Sequence, residues 1–149
     1  MTLVFMAAQK IFRGWEYDWG AIDINGCLGY FQSAGFGPIP QIYNDKLDGE
    51  FDLEELVLQR PIVTECVQVS DFNGGDDILT WLDIAKRGFF SYDWCRTKKH
   101  YYLVAAPQKP IFRKDINNDL IDEFLVTEFD WEFDESHKNG VELKGVKIE

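Results

Sequence analysis

The dipeptide Asn25-Gly26 stands between two short alternating segments, and it constrains the fold more than any other feature of the sequence. In residues 15–24, Trp15, Tyr17, Trp19 and Ala21 share one parity while Glu16, Asp18 and Gly20 take the other, the period of a strand with one apolar face. Asparagine and glycine both tolerate positive φ, so the pair predicts a type I′ turn, with residues 27–33 returning as the second strand. That commits the chain to antiparallel pairing.

Further elements follow from capping and periodicity. Residues 52–60, DLEELVLQR, read as a short helix capped by Asp52, with Glu55 in the capping-box position and Pro61 ending it; Leu53, Leu56 and Val57 would face the core. Residues 61–70 are β-branched and partly alternating, which favours a strand. In residues 77–87, Ile78, Trp81, Leu82 and Ala85 fall on one helical face, with Asp76 as cap and Gly88 as stop. Residues 89–94 and 101–106 flank the turn Arg96-Thr97-Lys98-Lys99-His100 and predict a second hairpin. A short helix is expected at residues 118–125, where Leu120, Ile121, Phe124 and Leu125 group together. Residues 128–134, EFDWEFD, alternate acid and aromatic without a fault, predicting a strand with one buried aromatic side, and residues 141–149 could add a last strand after Asn139-Gly140. Hairpins with helices inserted between them give an α+β fold: one domain spanning residues 1–149, a mainly antiparallel sheet and two or three short helices.

The 149 residues suffice for one sizeable core, and 46% hydrophobic residues argue for a folded chain despite a net charge of -11. The charge is uneven. Residues 86–114 hold eight basic side chains against one acid, Asp93, whereas the rest holds seven bases against 25 acids. Such a chain repels polyanions over most of its surface, so nucleic acid and anionic membrane are not expected as direct ligands and basic partners are. No apolar run is long enough for a membrane helix, no basic region precedes the short apolar stretch at the N-terminus, and Cys27, Cys66 and Cys95 form no disulfide framework; the expected location is the cytoplasm.

Searches for catalytic constellations give little. Acids are plentiful, but alternation puts those of residues 128–134 on a solvated face, where nothing raises a pKa for general acid work. His100 and His137 have no ligand spacing around them, no serine sits in a GxSxG elbow, and the loop at residues 34–40 lacks a phosphate-binding pattern. Residues 71–77 resemble a calcium loop in composition but not in spacing. Neither cofactor nor metal is expected, and an enzyme is not. The turn at residues 96–100 beside Tyr101 and Tyr102 is the one nucleic-acid-like feature, and a solvated hairpin turn explains it. A small ligand-binding or enzymatic domain, with a pocket between Trp15, Trp19, Trp94 and the loop at residues 35–40, is the alternative.

What stands out is the stretch at residues 115–135, with nine acids and no Lys or Arg. It suggests a surface that docks onto a basic protein groove. The segments WEYDWGAIDINGCLGYFQSAGFGPIP at 15–40, AKRGFFSYDW at 85–94 and YLVAAP at 102–107 resemble immunity proteins of contact-dependent or polymorphic bacterial toxin systems. The resemblance covers about a third of the chain. It implies a cytoplasmic antidote that covers the active site of a cognate toxin domain, a nuclease being the expected kind because its substrate groove is basic. It carries no site residue with it. The candidate partner-binding residues, Asp122, Glu128, Asp130, Glu132 and Asp134, with the acidic stretch at residues 45–55 as a possible aid, therefore rest on charge alone.

Overall fold

The computed structural model describes residues 18–33, 37, 39, 53–70, 78–116, 121, 124, 125 and 127–134. Six strands form one mixed sheet: β1 (Asp18–Ile22), β2 (Leu28–Gln32), β3 (Cys66–Gln68), β4 (Phe90–Cys95), β5 (His100–Pro107) and β6 (Thr127–Glu128). Two α-helices, α1 (Leu53–Leu58) and α2 (Ile78–Lys86), and a 3-10 turn (Arg113–Ile116) complete the described elements. The fold is α+β and its sheet mostly antiparallel, as expected, with helical content at the low end of the expectation.

The strand order is β3-β5-β4-β2-β1-β6. Pairs β1–β2, β4–β5 and β3–β5 are antiparallel; β2–β4 and β1–β6 are parallel. Both expected hairpins form, but the first turn differs from type I′. The Gly26 N–H donates to Asp23 O at 3.0 Å, and of the turn residues only Gly26, at φ 84°, has positive φ. The turn therefore centres on Ile24 and Asn25, with Gly26 in the left-handed position that follows a type I turn. Asp23 decides this, because its Oδ1 accepts the N–H groups of both Asn25 and Cys27 at 2.9 Å and so fixes a turn one residue earlier.

Strands β1, β2 and β4 are buried along nearly their whole length, as central strands covered on both faces must be. One face carries a cross-strand row that follows the register Trp19↔Phe31↔Tyr92. Phe31 stacks on Trp19 and on Tyr92, each at 4.2 Å between ring centroids, and Tyr101 meets Trp19 edge-on. Helix α2 packs on the opposite face of β4, where Ser91 Oγ donates to Trp81 O at 2.9 Å. Its buried side is Trp81, Ile84 and Ala85, while Ile78 and Leu82 are half-buried. The strand expected over residues 61–70 shrinks to three residues on the β5 edge.

Residues 128–134 depart from the single strand expected of them, although their alternation is real. Phe129 and Phe133 are buried and Trp131 is half-buried, while Glu128, Glu132 and Asp134 are exposed. Only Thr127–Glu128 pairs as a strand; the chain then bends and residues 133 and 134 close in a 3-10 turn. Anchors from the first hairpin impose the bend: Phe129 N–H donates to Ile22 O, Ile24 N–H to Trp131 O, and Phe133 N–H to Asp23 Oδ2. Ile121, Phe124 and Leu125 are buried as expected, and most of the helix proposed at 118–125 lies outside the described residues, as do the strand at 141–149 and the loop at 71–77.

Candidate functional site

The bend of residues 128–134 wraps the β1–β2 turn, and a cleft of about 440 Å³ opens between them. Ile22, Ile24 and Phe129 form its apolar wall; Asp23, Arg113, Glu128 and Asp130 supply its polar groups. Two contacts hold this arrangement. Gly29 leaves a notch in the sheet that the Phe133 ring fills, its Cζ lying 2.7 Å from where a Cβ would stand. Tyr92 Oη donates to Phe133 O at 3.4 Å from below.

Each acid has its own role. Asp23, 5% exposed, is consumed by three backbone N–H donors and is a structural residue that charge counting over the C-terminal stretch passed over. Its signal was present in the sequence, since aspartate is favoured at the first position of a type I turn. Glu128 faces Arg113 at 3.6 Å; both are well exposed, so the pair contributes at most about 1 kcal/mol. Glu132 accepts a hydrogen bond from Asn25 Nδ2 at 3.0 Å. Asp134 is exposed at the end of the segment. Asp130 is half-buried, and both its carboxylate oxygens are enclosed without a hydrogen-bond donor. Asp122 lies outside the described residues, as does most of the acidic stretch at 45–55. The structure thus brings together four of the five candidate acids, around a turn instead of along a flat strand face.

Their field reaches the Cys27 thiol, which is pushed up to about 12 first by burial and then by the negative charges of Asp23, Asp134 and Glu132. Such a thiol is a poor nucleophile. Among the described residues no cluster of three or more His, Cys, Asp and Glu side chains is arranged to hold a metal ion.

The basic segment at 86–114 divides between several places. Strand β4 runs parallel to β2, so the exposed turn at residues 96–99 lies at the end of the sheet opposite the β1–β2 turn, roughly 20 Å away. Arg87 is turned inward, donating to the carbonyls of Leu58, Arg60 and Asp83. Arg113, whose N–H binds Gly26 O at 2.8 Å, comes to the acidic cleft itself. Sequence separation alone did not reveal this, because the bridge Cys27↔Phe112 spans most of the chain.

Of the residues that would line the aromatic pocket of the alternative reading, those described are closely packed. Trp19 is fully buried and Trp94 is 6% exposed, and a Cβ on Gly37 would stand 2.6 Å from Tyr101 Oη and 3.0 Å from Trp94 Cγ. Trp15 lies outside the described residues. No helix among the described residues is long and apolar enough to cross a membrane. Comparison with protein-family models, with curated proteins and with solved structures finds no match to this chain.

Proposed function

We propose that this chain is an immunity protein that binds a cognate toxin domain, a nuclease, and covers its basic active-site groove with the acidic end built around the β1–β2 turn. One observation carries the reading: Glu128, Asp130, Glu132 and Asp134 gather around the β1–β2 turn, which Asp23 holds through three hydrogen bonds. Preorganised acids lose little entropy on docking and steer a basic partner into place. The cytoplasm is the compartment in which such an antidote acts, and it uses no catalytic group of its own.

The test is a variant with Glu128, Asp130, Glu132 and Asp134 all changed to Lys, assayed against the product of the neighbouring toxin gene. Loss of protection in cells, together with loss of binding by the folded variant and a wild-type association rate that falls steeply with salt, is the expected result. Full protection and unchanged affinity in a folded variant would end the proposal.

A further inference from the structure

Among the acids that line the cleft, Asp130 differs from its neighbours. Asp23 is committed to three backbone donors and Glu128 faces Arg113, whereas both oxygens of Asp130 are enclosed and accept no hydrogen bond. Withdrawing a carboxylate from water without giving it a donor is unfavourable, and a donor arriving from outside recovers that loss. Asp130 lines the cleft and is only half-buried as a residue, so rotation about its side-chain torsions presents the oxygens to an incoming group. Beside it Ile24 is 60% exposed, an apolar shelf at the cleft mouth.

We infer that this cleft receives an arginine side chain of the partner protein, its guanidinium forking onto both oxygens of Asp130 and its methylene stem lying along Ile24. The inference deepens the toxin-binding reading and rests on it for the partner. Arginine fits better than lysine for a geometric reason. Two oxygens on one carboxylate, neither of them given a donor by the fold, match two parallel N–H groups of a planar fork once the side chain turns outward, while an ammonium group is a point donor. The apolar wall of Ile22, Ile24 and Phe129 suits the stem of a long cationic side chain. Arg113, the cation already present, directs Nη1 toward Glu128.

The experiment follows backbone amide shifts of the full chain during titration with N-acetyl-arginine methylamide, N-acetyl-lysine methylamide and calcium chloride. The expected result is a response centred on Ile22, Ile24 and Phe129, half-saturated by the arginine compound at about tenfold lower concentration than by the lysine compound. It is lost in Asp130→Asn and kept in Glu65→Gln, which removes one exposed acid far from the cleft. Equal responses to the two compounds, shifts centred elsewhere, or a response to calcium alone would overturn the inference. If Asp130→Asn does not fold, the wild-type shift map and the arginine-to-lysine ratio still decide. Arginine binding in a chain that does not capture the toxin sinks the toxin reading and leaves the cleft assignment standing. Toxin capture unaffected by a folded Asp130→Asn does the reverse.

Discussion

Asp23 Oδ2 accepts the backbone N–H of Phe133 at 3.1 Å, joining the first hairpin to a segment 110 residues further along the chain. Its other oxygen holds the turn through Asn25 and Cys27, so one buried carboxylate ties the site to the sheet. Replacing Asp23 by Asn turns an amide donor toward backbone donors. We expect Asp23→Asn and Asp23→Ala each to cost about 2 to 4 kcal/mol in urea unfolding, since hydrogen bonds to a charged acceptor are lost and buried N–H groups are left unmatched. A cost below about 1 kcal/mol would show that the turn does not depend on this carboxylate.

Gly29 makes a second link between sheet and site. An added methyl would meet Phe133 Cζ at 2.7 Å and Cε2 at 2.9 Å, and Phe133 is fully buried with Phe31, Phe90 and Tyr92 around it. Gly29→Ala should therefore destabilise by about 1 to 3 kcal/mol and push the acidic segment outward. Weakened partner binding beyond the stability loss, measured on protein that remains folded, is the accompanying expectation.

What the sequence revealed of this molecule was mostly local. The pairings of β1 with β2 and of β4 with β5 were legible because turn residues and alternation lie next to each other in the chain. The placement of β4 beside β2, and of β6 beside β1, was not, because parallel pairs join distant segments and leave no turn signature. Alternation in residues 128–134 foretold the burial of Phe129 and Phe133 and the exposure of Glu128, Glu132 and Asp134, but neither the enclosed carboxylate of Asp130 nor the bend, which the Asp23 and Ile24 hydrogen bonds impose from outside the segment. The charge count found the acids; only the fold separates Asp23, fully engaged by backbone donors, from Asp130, which accepts no hydrogen bond.

Cys27 gives a pH-dependent expectation. Its thiol is held up to about 12 in the folded chain, against an ordinary value near 9.0, with burial the main cause. The unfolded chain therefore releases this proton first, and stability is intact below about pH 9 and declines as pH rises toward about 12. Tyr101 and Tyr102 add to the decline above their ordinary value, both raised chiefly by burial. Urea midpoints from pH 7 to 11 should show a fall that Cys27→Ala makes shallower. At pH 8, iodoacetamide should label Cys27 far more slowly than the half-buried Cys95.

Arg87 joins the ends of both helices, and its substitution separates charge from geometry. Its Nη1 donates to Asp83 O at 2.9 Å within α2, its Nη2 to Leu58 O at 3.3 Å at the end of α1, and its Nε to Arg60 O at 3.2 Å. Carbonyls at helix C-termini carry partial negative charge, so a cation there is doubly favoured. Arg87→Ala should cost about 1 to 3 kcal/mol, and Arg87→Lys should recover less than half, because an ammonium group cannot span three carbonyls in different directions. Full rescue by Lys in urea unfolding would mean that net charge, and not the shape of the guanidinium, is what the helix ends require.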